Sequence, residues 1–431
     1  MDMFNNITRQ IAIDGQLLLP FYNLWNENAY YRNDGFTFNP FTINSSSTSG
    51  SPVAIGRNFF VGFLNPEAPA QFSSDGRMLT VECREGQECF WEEDCDPFAA
   101  WDAYNREVFR RFKPVKTCNA KTLESIEYCT WVEQEAALYR RNIEGETVFS
   151  MLSDRFIEDY IGRIDRMGLP HGVLTIDHGW MEGSPRFDFR SQSPDRKRFP
   201  DLARTIGFIR DSGFIPGLWF APAFLYEDHP LFLECPELMG SRFLGANENG
   251  FEFPVHYLNV TDVTRPLVRQ YFTGLLKPYL EMGVKKLKID FIYNSKIEMI
   301  KILRELYQTV KEIDPEVEIE SHVPDIFASF YQDAVRMNDV SKPDIEESLA
   351  LIRNHYLVCK HSAFNTAVNL DHVGTNSCRI GSGDFLRTVA LFRQMDGYPV
   401  VSLLPDQISD KAVAGLKEYL EGYISGKNFK A

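Results

Sequence analysis

At 431 residues the chain is too long for one hydrophobic core, and its 44% hydrophobic and 24% charged residues are those of a folded globular protein. A formal net charge of −15 leaves no basic stripe to neutralise phosphates, which argues against nucleic acid or an anionic membrane as partner and for a small neutral molecule. No apolar run approaches the roughly 18 residues of a membrane span, and the opening MDMFNNITRQ lacks the basic-then-apolar layout of a secretory signal, so a cytoplasmic protein is expected.

Residues 1–125 are rich in Phe, Gly, Ser, Asn and Pro. Short alternating runs such as QLLLPFYNLW and RNFFVGFL, broken by turn residues like SSSTSGSP, predict a β-rich, sandwich-like antiparallel domain. Eight cysteines are sparse for a disulfide scaffold of this length, so reduced thiols are expected. The one cluster, Cys83, Cys89 and Cys95 in CREGQECFWEEDC, has spacings unlike a zinc knuckle, and neither a metal nor another cofactor is expected.

From residue 126 the texture changes to short apolar strands alternating with segments of helical period, which predicts a (β/α)8 barrel over 126–431. The strands fall at 127–132, 172–177, 215–221, 284–290, 316–321, 334–338, 364–370 and 398–403. Helical period runs through IEDYIGRIDRM, LARTIGFIRDSG (with Gly213 as a stop), KIEMIKILRELYQTV, FLRTVALFRQM and KAVAGLKEYLEGYI. No glycine-rich phosphate loop follows any strand, so nothing recommends a nucleotide-binding sheet. The stretch from Ala223 to Asp262 is too long for an ordinary connection, and it carries Glu227, Asp228 and His229 as a candidate lid or pocket wall.

In such a barrel the reacting groups project from the C-terminal ends of the strands. LKID ends in Asp290, and the period of two puts Lys288 on the same face, where a cation would keep the carboxylate ionised; an ordinary structural ion pair explains the spacing equally well. VRMND brings Arg336, Asn338 and Asp339 to the end of the sixth strand, Asp339 being either a second reactive carboxylate or a helix cap. Two carboxylates about 5 to 6 Å apart on one rim are what cleavage of a glycosidic bond with retention requires. TIDHGW supplies Asp177, His178 and Trp180, and GLWFAP supplies Trp219, rings and carboxylates suited to a sugar subsite or, for the tryptophans, to the core. Glu320 and His322 follow the fifth strand, and Asn369, Asp371 and His372 the seventh, as further substrate contacts or loop hydrogen-bonding groups. No paired-histidine motif anchors a metal among His178, His322 and His372.

The ordered strings YCTW, TIDHGW, RFPDLARTIGFIRDSGFIPGLWFAP, LNVTDVTRPLVRQYF, GVKKLKIDF and AVRMNDV resemble the α-galactosidases of glycoside hydrolase clan D over about 300 residues, most closely family 36, with some character of family 31 around GLPHGVLTIDHGW. That resemblance implies a (β/α)8 barrel in which Asp290 is the nucleophile, Asp339 the acid/base, Lys288 and Arg336 sugar-site cations, Asp177 a hydroxyl-binding carboxylate, and Trp131 and Trp219 subsite aromatics. The chain departs from the family where His178 replaces a second Asp, where the Arg-to-Asp gap in VRMND is short, and where ESHVPD replaces a Cys- and Gly-rich segment.

The expected activity is therefore a retaining α-glycoside hydrolase acting on a small glycoside or oligosaccharide, the alternatives being an α-transglycosidase with the same carboxylates or an inactive sugar-binding barrel. Relatives carry a further C-terminal β-sandwich, and homo-oligomerisation is one way for this scaffold to cover the surfaces left bare.

Overall fold

The structure, a computed structural model, describes residues 7–20, 31–32, 34–41, 51–114, 116, 121–182, 192–242, 255–292, 295–337, 344–362, 364–375 and 377–426. Each segment expected to be a barrel strand contains one: β1 Glu127–Cys129, β2 Val173–Ile176, β3 Ile215–Phe220, β4 Lys286–Ile289, β5 Glu318–Ser321, β6 Ala334–Arg336, β7 Ala367–Leu370 and β8 Tyr398–Val401. They pair in sequence order, and β8 returns to β1 with Tyr128 opposite Val401, which closes the barrel. Every one of these pairings is parallel.

The alternation of side chains explains the core. In β4, Leu287 and Ile289 point outward and join the large apolar cluster shared with the surrounding helices, while Lys286 and Lys288 point into the barrel. The helices have local start and stop signals. Asp154–Met167 is capped by Ser153 and ends at Gly168 (φ 60°), and Lys296–Ile313 opens with a Ser295/Glu298 capping box. Gly213 (φ 87°) follows Leu202–Asp211, as its place in the sequence suggests.

One strand expectation is corrected. EYCTWV is extended only to Cys129, because Trp131 begins the helix Trp131–Arg141. A second departure lies in the N-terminal region, which is not β throughout. It holds two antiparallel sheets, of four and five strands, followed by the helix Pro97–Phe112. Asp96 caps that helix, Pro97 sits in its first turn, and its buried face carries Trp101 and Tyr104 against Phe60 of the five-stranded sheet.

The same helix meets the barrel. Between β5 and β6 the described chain makes only a single 3₁₀ turn, Ala328–Tyr331. The face a helix would otherwise cover is covered by Phe109 on Phe330 (ring centroids 5.2 Å apart) and Phe112 on Phe327 (5.6 Å). After β3, the strands Phe224–Tyr226, Met239–Arg242 and Val255–Leu258 form a small antiparallel sheet where the long connection was expected. No helix of the described residues is long and apolar enough to cross a membrane.

Candidate functional site

Asp290 follows directly on β4, and its backbone N–H donates to the Phe220 carbonyl at the end of β3, 2.8 Å away. The side chain is 18% exposed and three N–H groups approach it. Trp219 Nε1 lies 3.2 Å from Oδ2, Phe291 N lies 2.9 Å from Oδ1, and an Arg336 guanidinium nitrogen lies 3.5 Å from Oδ1. Phe291 reaches this position with φ 54°, a left-handed conformation that costs a non-glycine residue about 1–3 kcal/mol. Its ring stacks on Phe224 (5.2 Å, 20°), so the small sheet after β3 walls one side of Asp290.

Lys288 takes a different partner from the expected one. Its ammonium is 2.8 Å from Asp177 Oδ2, 3.4 Å from Cys129 Sγ and 3.9 Å from Asp371 Oδ2, and the cation beside Asp290 is Arg336. Burial alone would lower the Lys288 pKa, but Asp177, Cys129 and Asp371 together hold it well above the ordinary lysine value. Asp177 lies below the usual carboxylate range: burial opposes this, and Lys288, the Cys129 thiol and the His178 backbone N–H outweigh it. The Cys129 thiol donates to Asp177 Oδ2 over 3.0 Å, and the Thr130 hydroxyl accepts the Asp177 N–H over 2.9 Å.

His178 is buried flat against Trp219, with centroids 4.3 Å apart and planes 5° from parallel; Phe149 packs on it at 4.3 Å, and the Trp131 ring lies parallel at 6.5 Å. Burial pushes its pKa down to about 4, against the pull of Asp177 and Asp290, so the ring is neutral near pH 7. Trp180 does not join this slab. It is fully buried, donates its indole N–H to the Trp219 carbonyl (2.9 Å) and packs on Phe220 and Tyr279, so the structure places it in the core beneath the rim instead of at a sugar subsite.

His322, on the chain leaving β5, has Nε2 3.4 Å from Asp290 Oδ1 and 3.3 Å from the Ile292 N–H. Arg336 also lies 3.5 Å from Glu320 and 3.7 Å from Asp371, and so joins three carboxylates from β4, β5 and β7. Asp371 accepts the His372 N–H at 3.0 Å, and the His372 ring turns back to the same carboxylate at 3.2 Å. Asp339 and Asn338 lie outside the described residues. His229, from the candidate lid, serves as the N-cap of Pro230–Glu234, and Glu227 lies 3.9 Å from His256.

Glu320 and Asn369 belong to a polar layer one step below the mouth, fully enclosed. Lys286 Nζ lies 2.5 Å from Glu127, 2.6 Å from Glu320 and 3.0 Å from Glu318. Tyr398 donates to Glu318 (2.7 Å), Asn369 to Glu320 (2.5 Å) and Thr175 to Glu127 (2.6 Å). Burial pushes Glu127 up to about 7, Lys286 notwithstanding, while Glu320, despite its burial, is held low by Lys286, Lys288 and Arg336. The sequence reading missed Lys286, Glu127, Glu318 and Tyr398, although the alternation in KLKID and EIESH extended one residue pair further would have found the first and third. No motif marks Cys129 in the sequence, and nothing in TVFSM marks Phe149.

The described site is thus a rim carboxylate held by N–H donors, flanked by an aromatic slab and floored by paired charges. It can present a carboxyl group to an electrophilic carbon and hydroxyl-binding groups to a sugar. Among the described residues, no group of three or more His, Cys, Asp or Glu is placed to hold a metal ion.

Residues 147–364 match the family model of the glycosyl hydrolases family 31 TIM-barrel domain. Among solved structures, the α-galactosidase TtGalA from Thermus thermophilus, in complex with p-nitrophenyl α-D-galactopyranoside, is similar at 20% identity and TM-score 0.61, over 86% of this chain and 76% of that one. The α-galactosidase from Lactobacillus brevis is similar at 13% identity and TM-score 0.60, over 97% of this chain and 60% of its own. The family 36 α-galactosidase AgaB from Geobacillus stearothermophilus is similar at 12% identity and TM-score 0.60, over 97% and 62%. The chain spans about three-fifths of the length of the last two, and at these identities the likeness is one of fold. No curated protein sequence matches the chain.

Proposed function

Because the chain belongs to the glycosyl hydrolases of family 31 through its TIM-barrel domain, we propose that it is a retaining α-glycoside hydrolase that removes a terminal α-linked sugar by double displacement. In this reading residues 126–431 are the catalytic barrel and residues 1–125 an accessory β-rich domain. Asp290 attacks the anomeric carbon and forms a covalent glycosyl-enzyme; Asp339 protonates the departing oxygen and then takes a proton from the attacking water. Lys288, Asp177, Arg336 and Asp371 would meet the sugar hydroxyls, and the slab of Trp219, His178 and Trp131 would meet a ring face.

The observation that carries the proposal is the setting of Asp290. It stands at the end of a barrel strand, partly open, with Trp219, Phe291 and Arg336 all turned to its carboxylate. Such donors hold a carboxylate in one orientation at the position from which barrel enzymes act.

The test is a panel of aryl α-glycosides that begins with p-nitrophenyl α-D-galactopyranoside, the compound bound by the Thermus protein. The first-formed product is followed by NMR, with Asp290→Ala and Asp339→Ala as controls. Turnover that releases the α-anomer and disappears in Asp290→Ala supports the reading. Release of the β-anomer, or an Asp290→Ala variant as active as the parent, overturns it. Saturable binding with no Asp290-dependent turnover across the panel would favour a sugar-binding barrel.

A further inference from the structure

Two successive backbone N–H groups follow Asp290, and each needs an acceptor. The Phe291 N–H turns back to Asp290 Oδ1 over 2.9 Å, and the Ile292 N–H points to His322 Nε2 over 3.3 Å. Ile292 and His322 are both fully buried, and among the described residues the Ile292 N–H has no other acceptor. Nε2 and Asp290 Oδ1 lie 3.4 Å apart, side by side under the two N–H groups.

A backbone N–H can only donate, so the ring nitrogen that faces it has to accept. A neutral imidazole carries one proton; with Nε2 as the acceptor, that proton sits on Nδ1. A ring protonated on both nitrogens would aim an N–H at the Ile292 N–H and leave a buried donor without a partner. The cation of the site is in any case Arg336, 3.5 Å from the same Asp290 oxygen.

We propose that His322 is a positioning residue for Asp290: a neutral ring, protonated on Nδ1, that fixes the turn on which Asp290 stands by accepting the Ile292 N–H. The proposal rests on the reading of Asp290 as the nucleophile.

The turn needs such a hold. Phe291 keeps a left-handed backbone (φ 54°), which a non-glycine residue retains only where its surroundings secure it. Its ring is lodged between Trp219 and Phe224, with centroids 6.0 and 5.2 Å away, and His322 secures the next N–H along the chain. His322 is itself firmly seated. Ser321 Oγ donates to the buried Gln332 side-chain carbonyl, Gln332 Nε2 donates to the Val323 carbonyl (3.0 Å), and the Val323 N–H donates to Ser321 Oγ (3.2 Å). The residues on either side of the histidine are thereby tied to one amide, and the ring has a fixed base from which to reach across from β5 to the end of β4.

The first test needs no substrate. The full-length protein is labelled with 15N in its histidines, and the two ring nitrogens of His322 are read by NMR at about pH 7, assigned by their loss in His322→Gln. A protonated Nδ1 and an unprotonated Nε2 are expected. A proton on Nε2, or on both nitrogens, overturns the proposal.

The second test compares His322→Leu, which fills the space without an acceptor, with His322→Gln, whose side-chain oxygen can take the place of Nε2. On a glycoside that the parent turns over, kcat should fall about 10- to 100-fold in the Leu variant with KM little changed, and Gln should recover most of that loss. A loss that falls on KM, or a Gln variant as impaired as the Leu variant, overturns the positioning role. If the Leu variant does not fold, the Gln variant and the spectrum decide. Turnover that survives Asp290→Ala instead removes the premise, and the spectrum then still upholds or rejects the hold on Ile292.

Discussion

The Lys288 ammonium lies 2.8 Å from Asp177, across the barrel mouth, although Asp290 is only two residues along its own chain. The buried lysine is therefore the counter-ion of Asp177, and Asp290 is left to Arg336, two neutral N–H donors and the His322 ring. Replacing Lys288 by Met would strand Asp177 as a buried acid without its cation, while Asp371 keeps Arg336 at 3.7 Å. A loss of about 3–5 kcal/mol is expected, read as a fall in the denaturation midpoint. A variant with unchanged stability would show that the pair does not carry the floor of the site.

Trp219 has two roles that one substitution separates. Trp219→Phe keeps a ring against His178 but deletes the indole N–H that reaches Asp290 over 3.2 Å. The expected loss in kcat/KM is about 10- to 100-fold, the worth of one hydrogen bond to a charged group. The effect should fall mainly on kcat if Asp290 acts, as proposed, on the reacting carbon instead of anchoring the sugar.

Glu127 sets a pH dependence on stability. Its folded pKa of about 7 stands above the ordinary glutamate value of 4.5, so its contribution is fully present below about pH 4.5 and is lost as pH rises through about 7. Each unit of that shift corresponds to about 1.4 kcal/mol. Glu127→Gln, which stays neutral, should gain stability relative to the parent as pH is raised from 5 to 8. The comparison is made by melting both proteins across that range, and a constant difference between them would sink the idea.

His178 works in the opposite direction. With a folded pKa of about 4 below the ordinary 6.5, it resists protonation, so it costs the fold stability as pH falls from about 6.5 to about 4. It does not titrate in the folded protein above pH 5. The pH profile of kcat/KM for His178→Gln should therefore keep the parent's shape between pH 5 and 8, whatever its height. A limb near pH 6 that vanishes with this substitution would contradict the buried, neutral ring.

Much of this molecule was legible in its sequence. Short apolar runs separated by helical period gave all eight barrel strands, and polar strand ends brought Asp177, Asp290, His322, Arg336 and Asp371 to one mouth. The resemblance to families 36 and 31 of the glycoside hydrolases is matched by the structures and the family model that the chain resembles. Which ion pairs with which was not legible, because spacing along a strand gives the face of a side chain and not its reach across a barrel. Trp180 shows the same limit: two positions after His178, an aromatic at a strand end can equally serve the core. The helix Pro97–Phe112 was hidden because its aromatic, β-favouring residues (Phe98, Trp101, Tyr104, Phe109) resemble the strands before it, while tertiary packing settled its form.

The missing helix between β5 and β6 makes the two parts of the chain mutually dependent. A shortened protein beginning at residue 126 would bare Phe327 and Phe330 to water, an aromatic patch that invites self-association. Such a fragment should aggregate or require detergent, and its solubility should improve when Phe327 and Phe330 are replaced by polar residues. The barrel's outer wall is completed by residues from another part of the sequence, so insertions or deletions near residue 112 should reach His322 and Arg336, at the ends of β5 and β6, through the seating of that wall.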